Sequence, residues 1–367
     1  MVFADRSQRL APTGASLRDP CRVLFSVLGF VAGSIRQGPA QVKRMALGNT
    51  EHMFYHCPMD APSQPVRSAL QRVDGMPFHW SLNPYRGCRH ACTYCYARIY
   101  HSYLGFADPG DFNRVILHKP DLPSILAREL RQRRAPLGSE VAIGTATDPY
   151  QPLEAKQHLT RRCLDVLLQA GEAVSITTKS PLITRDLDLL RAFAAYGGVR
   201  VQITVTVLDP DLLSLLEPHA PSPRGRLRAM AALTAAGIPT SLFLAPIVPG
   251  LGAGDASAVL DAAAAAGAHA AMLLALRLSP GVRAWLLPRI AARRPDAAAD
   301  LARLYAGRDT LPRPERERLM APIAARRRSL DLDRPPAALR ARRDQLALFG
   351  PPDANRPRGT AARPDAD

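Results

Sequence analysis

The chain has 367 residues, 47% of them apolar, and a formal net charge of +16 at pH 7. That length suits about two domains, or one large α/β domain with tails, and is ample for a buried core. It excludes a small disulfide-stapled scaffold. No apolar run approaches the ~20 residues of a membrane-spanning helix, so no membrane association and a cytoplasmic location are expected.

Residues 1–75 show no sustained period and form an unassigned N-terminal extension. Within it, residues 23–32 (VLFSVLGFVA) resemble the apolar part of a signal peptide, but the run is short and follows Asp19 and Pro20. An extension from an upstream start, with Met45 as an alternative first residue, is the plainer reading. His52 and His56 stand four apart beside Cys57 and would share a face only if helical; no other element supports a metal there.

From residue 78 short apolar runs alternate with helical patterns. Strands are expected at 79–83 (HWSLN), 141–145 (VAIGT), 173–178 (AVSITT), 199–207 (VRVQITVTV), 240–246 (TSLFLAP) and 270–276 (AAMLLAL). Helices are expected at 122–133, 158–169, 183–195, 224–236, 256–266 and 282–292. Strands apolar on both sides and each followed by a helix predict a parallel sheet covered by helices. Gly171, Gly237 and Gly267 fall near helix ends, where a left-handed cap is wanted. Six such units make a partial, TIM-like (β/α)6 barrel over residues 76–292, with chemistry expected at the C-terminal ends of its strands. Residues 293–367 read as a helical segment and a basic tail, rich in Pro, Arg and Asp from Pro312 and expected to be partly disordered. From Arg277 onward there are 20 arginines, no lysine and 11 acids, a net +9. A basic face attracts phosphate polymers, although an Ala-, Arg- and Pro-rich chain from a GC-rich genome would carry the same charge.

Of six cysteines, three crowd into residues 88–95 and the others stand singly. The segment after the first strand, residues 83–98, reads NPYRGCRHACTYCYAR. Its C-x3-C-x2-C spacing lets one loop wrap three thiolates around one face of a [4Fe–4S] cubane. An all-cysteine cluster has four such ligands, so three leave one iron open. Gly87 would let the backbone approach the cluster closely, and Tyr94 places a ring beside the last ligand. The rival is a structural zinc on the three cysteines and His90, but zinc fingers pair C-x2-C with a distant second pair that is missing here. Cys163 lies within a helical pattern and reads as a small core residue.

The motif C-x3-C-x-aromatic-C at the end of a first barrel strand resembles the radical S-adenosylmethionine (SAM) superfamily. Residues 216–230 (LEPHAPSPRGRLRAM), 236–239 (AGIP), 245–250 (APIVPG) and Arg277-Leu278 resemble the branch that contains spore photoproduct lyase. The resemblance covers about residues 78–305. It implies a [4Fe–4S] cluster on Cys88, Cys92 and Cys95, whose open iron is chelated by SAM. An external electron donor then supplies an electron, and SAM is cleaved to methionine and a 5′-deoxyadenosyl radical. The cofactor carries the hard chemistry, and the protein binds, orients and excludes. Many relatives carry Gly-Gly-Glu after the second strand; here that stretch reads GTATDPYQ (residues 144–151). Thr147 and Asp148 are the candidates to take over the SAM ammonium, with an ordinary Asp-Pro turn as the alternative. Lys179, at the end of the third strand, suits the SAM carboxylate. The resemblance also places Arg226 near SAM, with an ordinary surface residue of the fourth helix as the alternative; the Tyr94 ring can flank an adenine, and Ile247 and Val248 either pack against it or fill the core. Spore photoproduct lyase carries a cysteine after its second strand that this chain lacks between residues 144 and 152, so the photoproduct reaction is not implied and no catalytic residue is assigned.

Near the end, residues 345–349 (QLALF) resemble the pentapeptide with which bacterial DNA enzymes dock on the sliding clamp. Gln345 would orient the peptide, while Leu346, Leu348 and Phe349 supply apolar contacts. The expected function is a radical SAM, lyase-like enzyme, with DNA-lesion or nucleic-acid base chemistry as the substrate reading. The alternatives are a radical SAM enzyme acting on a peptide or small molecule, and a non-catalytic nucleic-acid module with a structural metal.

Overall fold

The structure, a computed structural model, describes residues 61–106, 108–133, 137–335 and 339–341. The expectations for residues 23–32, for His52, His56 and Cys57, and for Gln345, Leu346, Leu348 and Phe349 lie outside the described residues.

All six expected strands are present. A sheet of order β1-β2-β5-β6-β7-β8-β9 is built from Gln71–Arg72 (β1), Trp80–Leu82 (β2), Val141–Ile143 (β5), Val174–Thr178 (β6), Val199–Thr204 (β7), Thr240–Ile247 (β8) and Ala271–Ala275 (β9). From β2 to β9 every pairing is parallel. β1 is an antiparallel edge that lies before residue 76. A second, two-stranded sheet pairs Tyr85–Arg86 (β3) with Leu117–His118 (β4).

The register explains the layering. Leu82, Ile143, Ile176 and Val201 are partners across four strands, and all are buried. They pack with Leu164 and Leu167, Leu190 and Phe193, and Met230 and Leu233 of the covering helices Leu159–Gln169, Leu187–Ala194 and Pro223–Ala235. Side chains alternate along a strand, so the intervening residues face inward. There the partners Thr177, Gln202 and Ser241 form a polar row. Phe243 pairs with Met272, which with Leu274 is exposed on the last strand. A closed barrel fills its interior with branched apolar side chains; in this open sheet the polar row Thr177, Gln202 and Ser241 adjoins Phe243 and Met272 on the same face.

Gly171, Gly237 and Gly267 do adopt positive φ after their helices. The expected helix at 183–195 is a 3-10 segment, Pro181–Asp186, leading into Leu187–Ala194. Beyond the expected elements there is a helix, Pro210–Leu216, after β7. Helices Pro295–Leu304 and Arg313–Ser329 follow Pro280–Ala291. The last of these occupies part of the stretch expected to be partly disordered, because Ile323, buried, and Leu319 and Met320 pack on the main core. A second apolar cluster joins Leu212, Leu215, Leu286, Leu301 and Tyr305 to Cys92 and Tyr94. The C-terminal helices thus wall in one side of the cysteine loop. No described helix is long and apolar enough to cross a membrane.

Candidate metal centre

The cysteine loop leaves β3 at the C-terminal rim of the sheet. Gly87 sits at φ +76°, and a Cβ there would lie 2.7 Å from the carbonyl oxygens of both Phe112 and Val115. Glycine is required because the loop seats on that backbone, a different reason from the close approach to a cluster that the sequence suggested. The Cys88 amide donates to the Phe112 carbonyl at 2.9 Å, and the Thr93 amide to Leu216 at 2.9 Å.

Arg98, buried, turns back under the loop. Its guanidinium donates to the carbonyls of Ala91 (3.0 Å) and Cys92 (2.9 and 3.2 Å). It lies between the rings of Phe112 and Trp285, 5.4 and 4.7 Å from their centroids. Residues 147–154 hold the same loop from the other side. Thr147 Oγ1 donates to the Gly87 carbonyl at 2.5 Å. Asp148 Oδ2 is 3.3 Å from His90 Nδ1. Gln151 reaches the Gly87 carbonyl and the Arg89 amide. Glu154 accepts from the Tyr85 hydroxyl.

Cys88 and Cys92 are buried and Cys95 is half-buried. Burial pushes the Cys88 thiol well up, and the nearby Asp148 charge adds to it. Burial likewise raises Cys92 to about 12 against the pull of Lys179, and raises Cys95. Three neutral thiols held together in a poorly hydrated place become thiolates when a metal displaces their protons. Cys163, the other described cysteine, lies within the main core as expected. Among the described residues no three Cys, His, Asp or Glu side chains converge on one ion position. His90 faces Asp148, not the cysteines. The donor set therefore fits a three-cysteine iron–sulfur cluster.

Beside Cys92 stands a charged hub. Glu217, 0% exposed, accepts from the Tyr94 hydroxyl, from Thr206 Oγ1 at 2.7 Å and from the Arg226 guanidinium. Lys179 Nζ lies 3.9 Å from the same carboxylate and 5.7 Å from the Tyr94 ring centroid, with 15% of its side chain exposed. Burial opposes ionisation of Glu217, but Arg226 and Lys179 outweigh it and hold its carboxyl down to about 2. Burial also opposes the charge of Lys179, yet Cys92 and Glu217 keep its pKa above the ordinary value.

The candidate SAM residues thus have definite places. Tyr94, Lys179 and Arg226 meet at Glu217. Arg226 is wholly enclosed and also donates to the carbonyls of Pro221 (2.7 Å) and Thr204 (3.1 Å). Thr147 is engaged by the cysteine loop. Asp148 accepts from Tyr150 N, Thr178 Oγ1 and Lys179 N at 2.9, 2.6 and 2.8 Å. Val248 packs in the cluster that contains Cys92 and Tyr94, while Ile247 belongs to the main core. The sequence reading gave no role to Glu217, Gln151 or Arg98, although each stands inside a quoted motif. Tyr96 was also passed over: it is 56% exposed, and its hydroxyl reaches the Thr145 carbonyl at the rim.

The family model of the radical SAM superfamily matches residues 82–263. An uncharacterized protein of Mycobacterium tuberculosis is 35% identical over 277 residues, covering 73% of this chain and 81% of that protein. An uncharacterized protein of Methanocaldococcus jannaschii is 31% identical over 170 residues, 46% of this chain and 61% of that one. Spore photoproduct lyase, solved in complex with dinucleoside spore photoproduct, is alike in fold: the TM-score is 0.53 at 18% identity, over 73% of this chain and 79% of that one. With its three-thiol loop at the C-terminal rim of six parallel strands, this chain belongs to the radical SAM superfamily.

Proposed function

We propose that this chain is an enzyme that carries a [4Fe–4S] cluster on Cys88, Cys92 and Cys95 and cleaves SAM reductively to take hydrogen from a nucleic-acid base. The observation that carries the reading is the three buried thiols on one loop, set against the Glu217, Lys179 and Arg226 hub. Cys88, Cys92 and Cys95 would hold the cluster, which would supply one-electron reduction of SAM with electrons from an external donor. The protein's part is placement. Lys179, a partly open cation beside Cys92, pairs with the SAM carboxylate. Glu217 holds Lys179 and the Tyr94 ring in place, and Arg226 acts through Glu217. Thr147 and Asp148 shape the rim, and the negative charge of Asp148 favours the SAM ammonium there, although its oxygens already accept from Tyr150 N, Thr178 Oγ1 and Lys179 N.

The substrate reading rests on the inner face and on charge. Thr177 Oγ1 donates to Gln202 Oε1 at 3.0 Å, so the Gln202 amide nitrogen is not used in that bond. Phe243 and Met272 offer apolar surface beside that row. A planar base has both a hydrogen-bonding edge and an apolar face, as this arrangement requires. The 44 arginines and net +16 favour a phosphate-bearing partner.

The test is anaerobic reconstitution followed by dithionite and SAM, with and without oligonucleotide. About four irons per chain and release of 5′-deoxyadenosine, both lost in Cys92→Ala, are expected. Oligonucleotide should raise nucleoside release, less so as salt increases. Zinc without iron would overturn the enzyme reading. Iron with turnover indifferent to oligonucleotide would move the substrate to a peptide or small molecule.

A further inference from the structure

Gln151 is 0% exposed and makes three side-chain hydrogen bonds, two of them to the peptide groups on either side of Cys88. Its Oε1 accepts from the Arg89 amide at 3.0 Å, and its Nε2 donates to the Gly87 carbonyl at 3.2 Å and to Thr147 Oγ1 at 3.0 Å. Thr147 Oγ1 caps the same Gly87 carbonyl from a second direction. The two peptide groups that flank the first cysteine are therefore held by side chains, the Arg89 N–H by Gln151 and the Gly87 carbonyl by Gln151 and Thr147, and the backbone N–H that reaches the Cys88 sulfur is that of Asp148. Hydrogen bonds to the sulfurs are one of the levers that set an iron–sulfur potential, and partners one shell out from a ligand orient it and tune the metal. A donor that is held elsewhere cannot stabilise the extra negative charge of the reduced state.

From this geometry we infer that Gln151 is a positioning residue that draws the Arg89 N–H away from the Cys88 thiolate and so keeps the cluster strongly reducing. The inference rests on the cluster reading above and adds a device for reaching the low potential that SAM cleavage needs. A glutamine suits the task because it both accepts and donates. Leucine at this position would free the Arg89 N–H toward the sulfur. Glutamate would keep the acceptor and add negative charge.

The measurement is an anaerobic redox titration of the reconstituted chain followed by electron paramagnetic resonance, without turnover. Gln151→Leu should favour the reduced cluster by tenfold or more, about 59 mV upward for one electron, with altered resonance lines. Gln151→Glu should leave the potential at or below that of the unsubstituted chain. Gln151→Met, which also lacks the acceptor, should raise the potential as Gln151→Leu does, and it serves if Gln151→Leu does not take up iron. Glu172→Gln weakens a remote buried site that accepts from the Leu137 amide, and it should lower stability without moving the spectrum. If Gln151→Leu or Gln151→Met matches the unsubstituted chain in potential, the role of Gln151 is overturned. Failure of the unsubstituted chain to take up iron would overturn the cluster reading itself.

Discussion

Replacing Arg226 with methionine tests the charged hub. The guanidinium makes three charge-assisted hydrogen bonds, to the Glu217 carboxylate and to the carbonyls of Pro221 and Thr204, and neither Arg226 nor Glu217 reaches solvent. Methionine keeps much of the volume but leaves one carboxylate oxygen and two carbonyls without their donor. Removing one partner of a buried ion pair costs about 3–5 kcal/mol, and a stranded buried acceptor about 1–3 kcal/mol. Glu217 still keeps Thr206, Tyr94 and the Lys179 charge at 3.9 Å, which offsets part of the loss. The expected destabilisation is about 4 kcal/mol, read as a urea midpoint on chains of equal iron content. Adding Glu217→Gln removes the stranded charge and should recover roughly 2 kcal/mol, a coupling that a double-mutant cycle isolates. A loss below about 1 kcal/mol for Arg226→Met, or strict additivity in the double variant, would refute the hub as drawn.

Lys119 is buried and donates to the Asn83 carbonyl at 2.8 Å. Burial, reinforced by Arg86, lowers its pKa to about 7. Between about pH 7 and 10.5 the unfolded chain binds the extra proton, so stability should rise with pH, by roughly 2 kcal/mol from pH 7 to 9. Lys119→Met should flatten that slope in denaturant melts at pH 7, 8 and 9; an unchanged slope would mean that another group carries it. We also propose that residues 345–349 tether the chain to a sliding clamp. Leu348→Ala with Phe349→Ala should then weaken clamp binding at least tenfold without altering SAM cleavage, whereas equal affinity by calorimetry would reject the tether.

The predicted strands and helices were legible because burial imposes a local period. Val141, Ile143, Val174, Ile176, Val199 and Val201 alternate or cluster as strand positions must, whatever lies far away in the chain. Cys88, Cys92 and Cys95 were legible for a similar reason: one loop carries all three thiols, so spacing alone constrains their chemistry. The amphipathic inner face was half visible. The row of Thr177, Gln202 and Ser241 depends on three strands coming into register, which no single segment encodes.

The rest of the site was decided by tertiary structure. Tyr94 meets Glu217 across 123 residues, Gln151 meets Arg89 across 62, and Lys119 meets Asn83 across 36. Local periodicity is silent on such pairs, because a hydrogen bond constrains two side chains in space and leaves the pattern around each unchanged. Gly87 shows the same division. Its type marks a place where no side chain fits, but only the folded chain shows that the carbonyls of Phe112 and Val115 are what would be struck. The sequence by itself thus determined the order of strands along the chain and the three cysteines that one loop brings together. What surrounds those cysteines with charge and holds their peptides was settled by folding, which brings together residues that share no local pattern.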